Sequence, residues 1–163
     1  MEKAIVKIIN ISRPIIGVGK TFTGDYANSS NFVTKVQEIL AKTSTPFIPN
    51  KVLGVYFDNP EKTKPEELNS FHGVFLQNEN ARFDPSLSKL SLKGNYLYTK
   101  VSGDPSKVIY DGYSAIFSHI QKNGIALKSS AGFQVSTFEN DAITIEIYME
   151  IELWIHENNS LII

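Results

Sequence analysis

The residues best placed to do chemistry lie in one run, Ala142-Ile143-Thr144-Ile145-Glu146-Ile147-Tyr148-Met149-Glu150-Ile151-Glu152-Leu153-Trp154-Ile155. Side chains alternate across a strand with a period of two. The isoleucines, Met149 and Leu153 therefore fall on one side, and Thr144, Glu146, Tyr148, Glu150, Glu152 and Trp154 on the other. A wet sheet face accounts for threonine and glutamate, but large rings between them need shelter. The stretch from Tyr96 to Val101 divides in the same way, with Tyr96, Tyr98 and Lys100 sharing a face. A sheltered carboxylate flanked by rings attracts a cation directly and through the ring faces, at about 0.5–2 kcal/mol per ring. Glu146 is the candidate carboxylate because it stands midway along the run, and Tyr96, Tyr98, Tyr148 and Trp154 are the candidate rings. Glu150 joins the same surface, although a like charge close to Glu146 would cost stability or force one of the two to hold a proton. Two bland readings stand beside this one: a solvated or lysine-paired Glu146, and aromatics that cover a sheet edge or a connector.

Other chemistry is thinly supported. The chain has no cysteine, which excludes disulfides, thiolate metal sites and cysteine nucleophiles. His72, His119 and His156 make no metal-ligand spacing with the acids, so no metal and no cofactor is expected. Gly17-Val18-Gly19-Lys20-Thr21 lacks the glycine spacing of either common nucleotide motif.

A length of 163 residues, 42% apolar and 20% charged, fits one folded domain over residues 1–163. The net charge of −1, with two arginines at Arg13 and Arg82, gives no basic footprint, and direct nucleic-acid binding is not expected. The opening MEKAIVKIINI alternates and carries no cleavage site, and no apolar run approaches the roughly 18 residues of a bilayer span. Those absences point to a cytoplasmic location with no membrane partner.

The elements that must position these residues come in two sets. Ala4 to Ile11 reads as a strand bending at Ser12-Arg13-Pro14, with Ile15 to Phe22 continuing the extended chain. The Gly24-Asp25-Tyr26 turn leads to a helix capped near Ser29 or Ser30, whose stripe is Phe32, Val33, Val36, Ile39 and Leu40. Strands follow over Lys51 to Asp58 and Phe71 to Leu76, with a charged, proline-bearing surface loop between them. Gln77 to Lys89 reads as a connector. The second set is a strand from Tyr96 to Val101, a helix capped by Asp104 with Pro105 in its first turn, a short strand at Phe133 to Ser136, and the long run above. The second helix shows Tyr113, Ile116, Phe117 and Ile120 at helical spacing and stops at Gly124. The matching turns Phe22-Thr23-Gly24-Asp25 and Val101-Ser102-Gly103-Asp104 suggest one β-α-β-β unit used twice, over about residues 4–76 and 92–155. The expected fold is α+β: a mainly antiparallel sheet with both helices on one face and a cleft on the other.

The second half resembles the GyrI-like small-molecule-binding domain, also the effector-binding domain of AraC- and MerR-type transcription regulators. The pieces are Gly94-Asn95-Tyr96-Leu97-Tyr98 with Gly103 after it, the helix bearing Tyr113 to Ile120, Phe133, and Ile145-Glu146-Ile147-Tyr148-Met149-Glu150-Ile151. In the first half, Gly54-Val55-Tyr56-Phe57-Asp58-Asn59-Pro60-Glu61 and Gly24-Asp25-Tyr26 match the family's strand-and-turn segments. The resemblance implies two repeats around a pseudo-two-fold with a ligand cleft where they meet, Glu146 as the pocket glutamate and Tyr148 as its following tyrosine. It also implies hydrophobic, frequently cationic ligands, of the multidrug-binding kind. Where Glu150 stands the family commonly has proline, so the strand end is expected to be straighter and the cleft more acidic. The stretches before Ala4 and after Trp154 are too short for a helix-turn-helix module, so direct transcriptional control is not expected of these residues.

Three functions follow as alternatives. The first is a stand-alone binder of a small organic molecule, cationic and aromatic in character. The second is a hydrolase of an electrophilic small molecule in which Glu146 is the catalytic general base and a tyrosine donates to the developing charge. The third is a protein-interaction module using the same face, with a protein partner or a second copy of the chain.

Overall fold

Alternating β-branched runs form the strands of this protein, and two stripes at helical spacing form its helices. The computed structural model describes residues 4–29, 31–152, 154–155 and 161–162. The first half runs β1 (Val6–Thr23), α1 (Phe32–Lys42), β2 (Phe47–Tyr56) and β3 (Asn69–Leu76). The second repeats the order with β4 (Ser88–Gly103), α2 (Pro105–Asn123), β5 (Leu127–Glu139) and β6 (Ala142–Ile151). All pairings are antiparallel, and the strands close on themselves in the order β1-β3-β2-β5-β6-β4. The halves therefore meet twice, at β2 with β5 and at β1 with β4. This is the α+β tandem β-α-β-β architecture, with the sheet curled into a barrel and both helices on its outer surface.

Three cores hold it. Val36 and Leu40 of α1 are fully buried against Val18 and Val74, and Val108 and Ile116 of α2 against Leu97, Ile145 and Ile147. Each such burial stabilises by about 1.5–3 kcal/mol. The third cluster contains strand residues alone and fills the barrel: Leu53, Val55, Phe71, Tyr96, Phe133, Val135 and Tyr148. Phe117, part of the expected buried stripe of α2, is instead 47% exposed, because α2 leans on β4 and β6 and leaves that flank uncovered.

Several boundaries differ from the sequence expectation. β1 runs through Ser12-Arg13-Pro14 without ending; its pairing with β4 slips between Ile11 and Ile15, and this bulge absorbs the donor that Pro14 lacks. β4 begins eight residues before Tyr96, at Ser88, with Leu90 and Leu92 facing the barrel. β6 ends at Ile151, and Glu152 leaves the ladder to donate its N–H to the carbonyl of Ala126. Trp154 belongs to a separate hairpin, β7 (Trp154–Ile155) with β8 (Leu161–Ile162), and not to the long strand. Ser29 closes the 3-10 turn Tyr26–Asn28 by donating its hydroxyl to the carbonyl of Tyr26, while Asn31 precedes α1; Ser30 lies outside the described residues. The second helix follows its signals: Asp104 accepts from the N–H of Ser106 at 2.9 Å, and Gly124 stops the helix at φ 60°.

Candidate functional site

The inner face of β6 carries Glu146 and Tyr148, because the outward positions Ile143, Ile145, Ile147 and Met149 are taken up by the core beneath α2. Register then chooses their neighbours. Tyr148 stands opposite Tyr98 of β4 on one side and Phe133 of β5 on the other, and Glu146 stands between Lys100 and Val135. The rings of Phe133 and Tyr148 stack at 4.2 Å and 11°, with Tyr98 tilted against Tyr148 at 5.0 Å. Tyr96 meets Phe133 and Tyr148 edge-on at 5.2 and 6.0 Å. Offset and edge-on contacts of this kind add about 0.5–1.5 kcal/mol each beyond buried area.

The Tyr98 hydroxyl donates to Glu146 Oε2 at 2.7 Å, and the Tyr148 hydroxyl reaches the same oxygen at 3.4 Å. Burial, followed by the hydrogen bond and charge of Glu146, pushes the Tyr98 phenol well above its ordinary value. Burial and the Glu146 charge do the same to Tyr148. Both phenols therefore keep their protons and act as donors. Among the described residues both recorded bonds fall on Oε2, which leaves Oε1 without a recorded partner. Lys100 is exposed, and the recorded ion pair joins Lys128 to Glu150 at 3.7 Å. A cation is already present nearby: the Lys7 ammonium lies 5.6 Å from the centre of the Tyr98 ring.

The structure thus gathers Glu146, Tyr98 and Tyr148 into one contact set and adds Tyr96 to its aromatic wall. The Tyr96 hydroxyl turns away, donating to the carbonyl of Lys93 at 3.1 Å. Glu150 is opposite Tyr96, two inward positions beyond Glu146, about 13 Å along the strand. At that distance, and bonded to Lys128, it exerts little repulsion on Glu146. The Trp154 side chain lies outside the described residues, and β7 carries its backbone away from the β6 ladder. Sequence reasoning did not assign Phe133 or Lys7 to the site. Their signal is register, which joins β5 and β1 to residues distant along the chain. Phe133 is 2% exposed and Tyr148 6%, so the wall is closely packed, and half-buried Tyr98 and Glu146 mark its accessible edge.

A second feature lies on the outer, helix-bearing surface. A groove of about 770 Å³ runs beside the β2–β5 seam, between α2 and the 3-10 turn with the loop that follows β2. Its floor is Tyr56, Gln134 and Met149, and its walls include Tyr26, Tyr113 and Phe117. Among the described residues no group of three or more His, Asp or Glu is disposed to hold a metal ion, and no helix is long and apolar enough to cross a membrane.

Solved structures give clear likenesses. An integron cassette protein from the mobile metagenome of Vibrio cholerae superposes with a TM-score of 0.55 at 13% identity, over 93% of this chain and 97% of that one. The C-terminal domain of EcmrR superposes with a TM-score of 0.62 at 13% identity, covering 92% of this chain and 97% of the domain. EcmrR in complex with DNA gives a TM-score of 0.64 at 11% identity, covering 92% of this chain but 57% of that protein. No family model and no curated protein matches the sequence. The likenesses show the fold: that of the GyrI-like, MerR-type effector-binding domain.

Proposed function

We propose that this chain, which has the fold of GyrI-like effector-binding domains, binds small aromatic cations at the inner edge marked by Glu146, Tyr98 and Tyr148. One observation carries the reading. The Glu146 carboxylate is held by tyrosine hydroxyls rather than by a lysine, and its charge is left for a guest. Tyr98 fixes Oε2 while Oε1 faces the ligand, and the Tyr98–Tyr148–Phe133 stack supplies ring surface. The Lys7 ammonium beside Tyr98 acts as a resident cation that a tighter-binding guest displaces. A cytoplasmic setting, with no direct nucleic-acid contact, belongs to this reading.

The test is calorimetric titration with aromatic quaternary ammonium and phosphonium salts alongside neutral and anionic isosteres. The expected result is binding of the cations, weakened at least tenfold by Glu146→Gln, with an unchanged circular dichroism spectrum. Equal affinity for cation and neutral isostere, or full affinity in Glu146→Gln, sinks the assignment.

The 2.7 Å bond from Tyr98 to Glu146 also supports a second reading, hydrolysis. Here Glu146 takes a proton from water as the water oxygen attacks an electrophilic carbon, and a tyrosine donates to the charge that develops on the leaving atom. Turnover of an electrophilic substrate that survives Glu146→Gln rejects it.

A further inference from the structure

The outer groove is separate from the Glu146 site, since the two occupy opposite faces of the same strands. On β5 and β6, Gln134 and Met149 face outward next to Phe133 and Tyr148, which face inward. Neither helix covers this part of the seam. Its volume of about 770 Å³ falls in the range of about 300–1,000 Å³ that accommodates small organic ligands.

The lining is held in place by specific bonds. The Tyr26 hydroxyl accepts from the N–H of Asp58 at 3.1 Å and lies 2.9 Å from the Asp58 carbonyl and 3.1 Å from that of Asn69. Tyr26 meets Tyr56 edge-on at 4.9 Å. Across the groove, the Tyr113 hydroxyl donates to Gln134 Oε1 at 2.9 Å, which fixes the amide and turns its NH2 group to other partners. Tyr113 and Phe117 lie nearly parallel, 6.4 Å apart and 24° from coplanar. Ile109 and Phe117 are 45% and 47% exposed at the mouth, large apolar surface left to solvent by a fold that buries its other helix stripes.

Charge selects the ligand. Asp58 and Glu61 line the groove, and no lysine or arginine does. Asp58 Oδ2 is committed to the N–H and side-chain amide of Asn69 at 2.7 and 3.2 Å, while Glu61 is exposed at the rim. We propose that this groove is a second binding site, for a protonated aromatic amine whose ring lies between the Tyr26–Tyr56 and Tyr113–Phe117 pairs with its ammonium toward Glu61.

The chain offers a local reporter, because Met1 and Met149 are its two methionines. With methyl-13C methionine, tryptamine is titrated while the Met149 methyl resonance is followed. The expected result is a saturable ring-current shift of that signal, at least about threefold tighter for tryptamine than for indole-3-propionate. Phe117→Ala and Glu61→Gln, both changes at exposed side chains, should each weaken it by about three- to tenfold. Glu146→Gln should leave it unchanged, so a failure of the inner site does not reach this measurement. No saturable Met149 shift up to the solubility limit, an equal response to the anionic indole, or loss of the response in Glu146→Gln overturns the proposal.

Discussion

The two halves share one chain path and differ in what they place inside the barrel. When Gly24 is matched with Gly103, Gly19 and Tyr98 each stand five residues earlier, and register extends the match across the sheet. The second half presents the row Tyr98, Tyr148, Phe133, and the first presents Gly19, Gly73, Leu53. In the next row, Glu146 is matched by Phe71. One half therefore carries the rings and the carboxylate, and the other carries glycines and aliphatic groups. The glycines have a steric reason. A Cβ on Gly19 would overlap the carbonyl of His72, and one on Gly73 the carbonyl of Val18, so β1 and β3 approach too closely there for any side chain. The first half is pinched where the second is filled, and a duplicated fold has divided closure from chemistry between its copies.

The sharpest way to break this contrast is to put a side chain into the pinch. Gly73→Val should separate β1 from β3 and cost more than about 4 kcal/mol, measured by urea denaturation. A loss under about 1 kcal/mol would mean that the close approach is not a constraint. On the other side of the comparison, Phe133→Ala removes the ring that stacks on Tyr148 and should cost about 3–5 kcal/mol of stability. Glu146→Gln tests the chemistry itself. It keeps shape and acceptor but removes the charge, so affinity for an aromatic cation should fall about 10- to 100-fold with the melting temperature little changed. A drop in stability as large as that of Phe133→Ala would recast Glu146 as a structural residue.

Much of this division was legible in the sequence. Alternation alone put Glu146 and Tyr148 together on β6 and Tyr96 and Tyr98 together on β4, because a period of two is a local property. Pairing is not local. That Tyr98 faces Tyr148, that Phe133 completes the stack, and that the helix-free face curls into an interior all depend on which strands meet at β1–β4 and β2–β5. The end of β6 was misplaced for a related reason. Glu152 and Trp154 continue the alternation beyond Ile151, but there the Glu152 N–H has turned to Ala126. The outer groove left no pattern at all, since Tyr26, Tyr56, Tyr113 and Gln134 come from four separate elements.

The smallest effect expected concerns the outer face of the first half, where His72 on β3 matches Ile147 on β6. His72 is buried beside Phe22, Phe32 and Tyr56, with Nε2 2.8 Å from Ser70 Oγ. Burial lowers its pKa below the ordinary 6.5, so the folded state favours the neutral ring. The unfolded chain then binds the extra proton first as pH falls. Stability contributed by neutral His72 is complete above about pH 6.5 and declines from there down to the lowered folded pKa. Asp84 and Asp104, each held below 3.8 by hydrogen bonds from Ser86 and Ser106, act only at more acidic pH, which separates their contribution. Urea unfolding between pH 7 and 5 should therefore show wild-type stability falling, with a shallower slope in His72→Leu, the variant closest to the aliphatic residue of the other half. Parallel slopes would show that the ring titrates alike in both states, and that at this position the halves differ in shape but not in their response to acid.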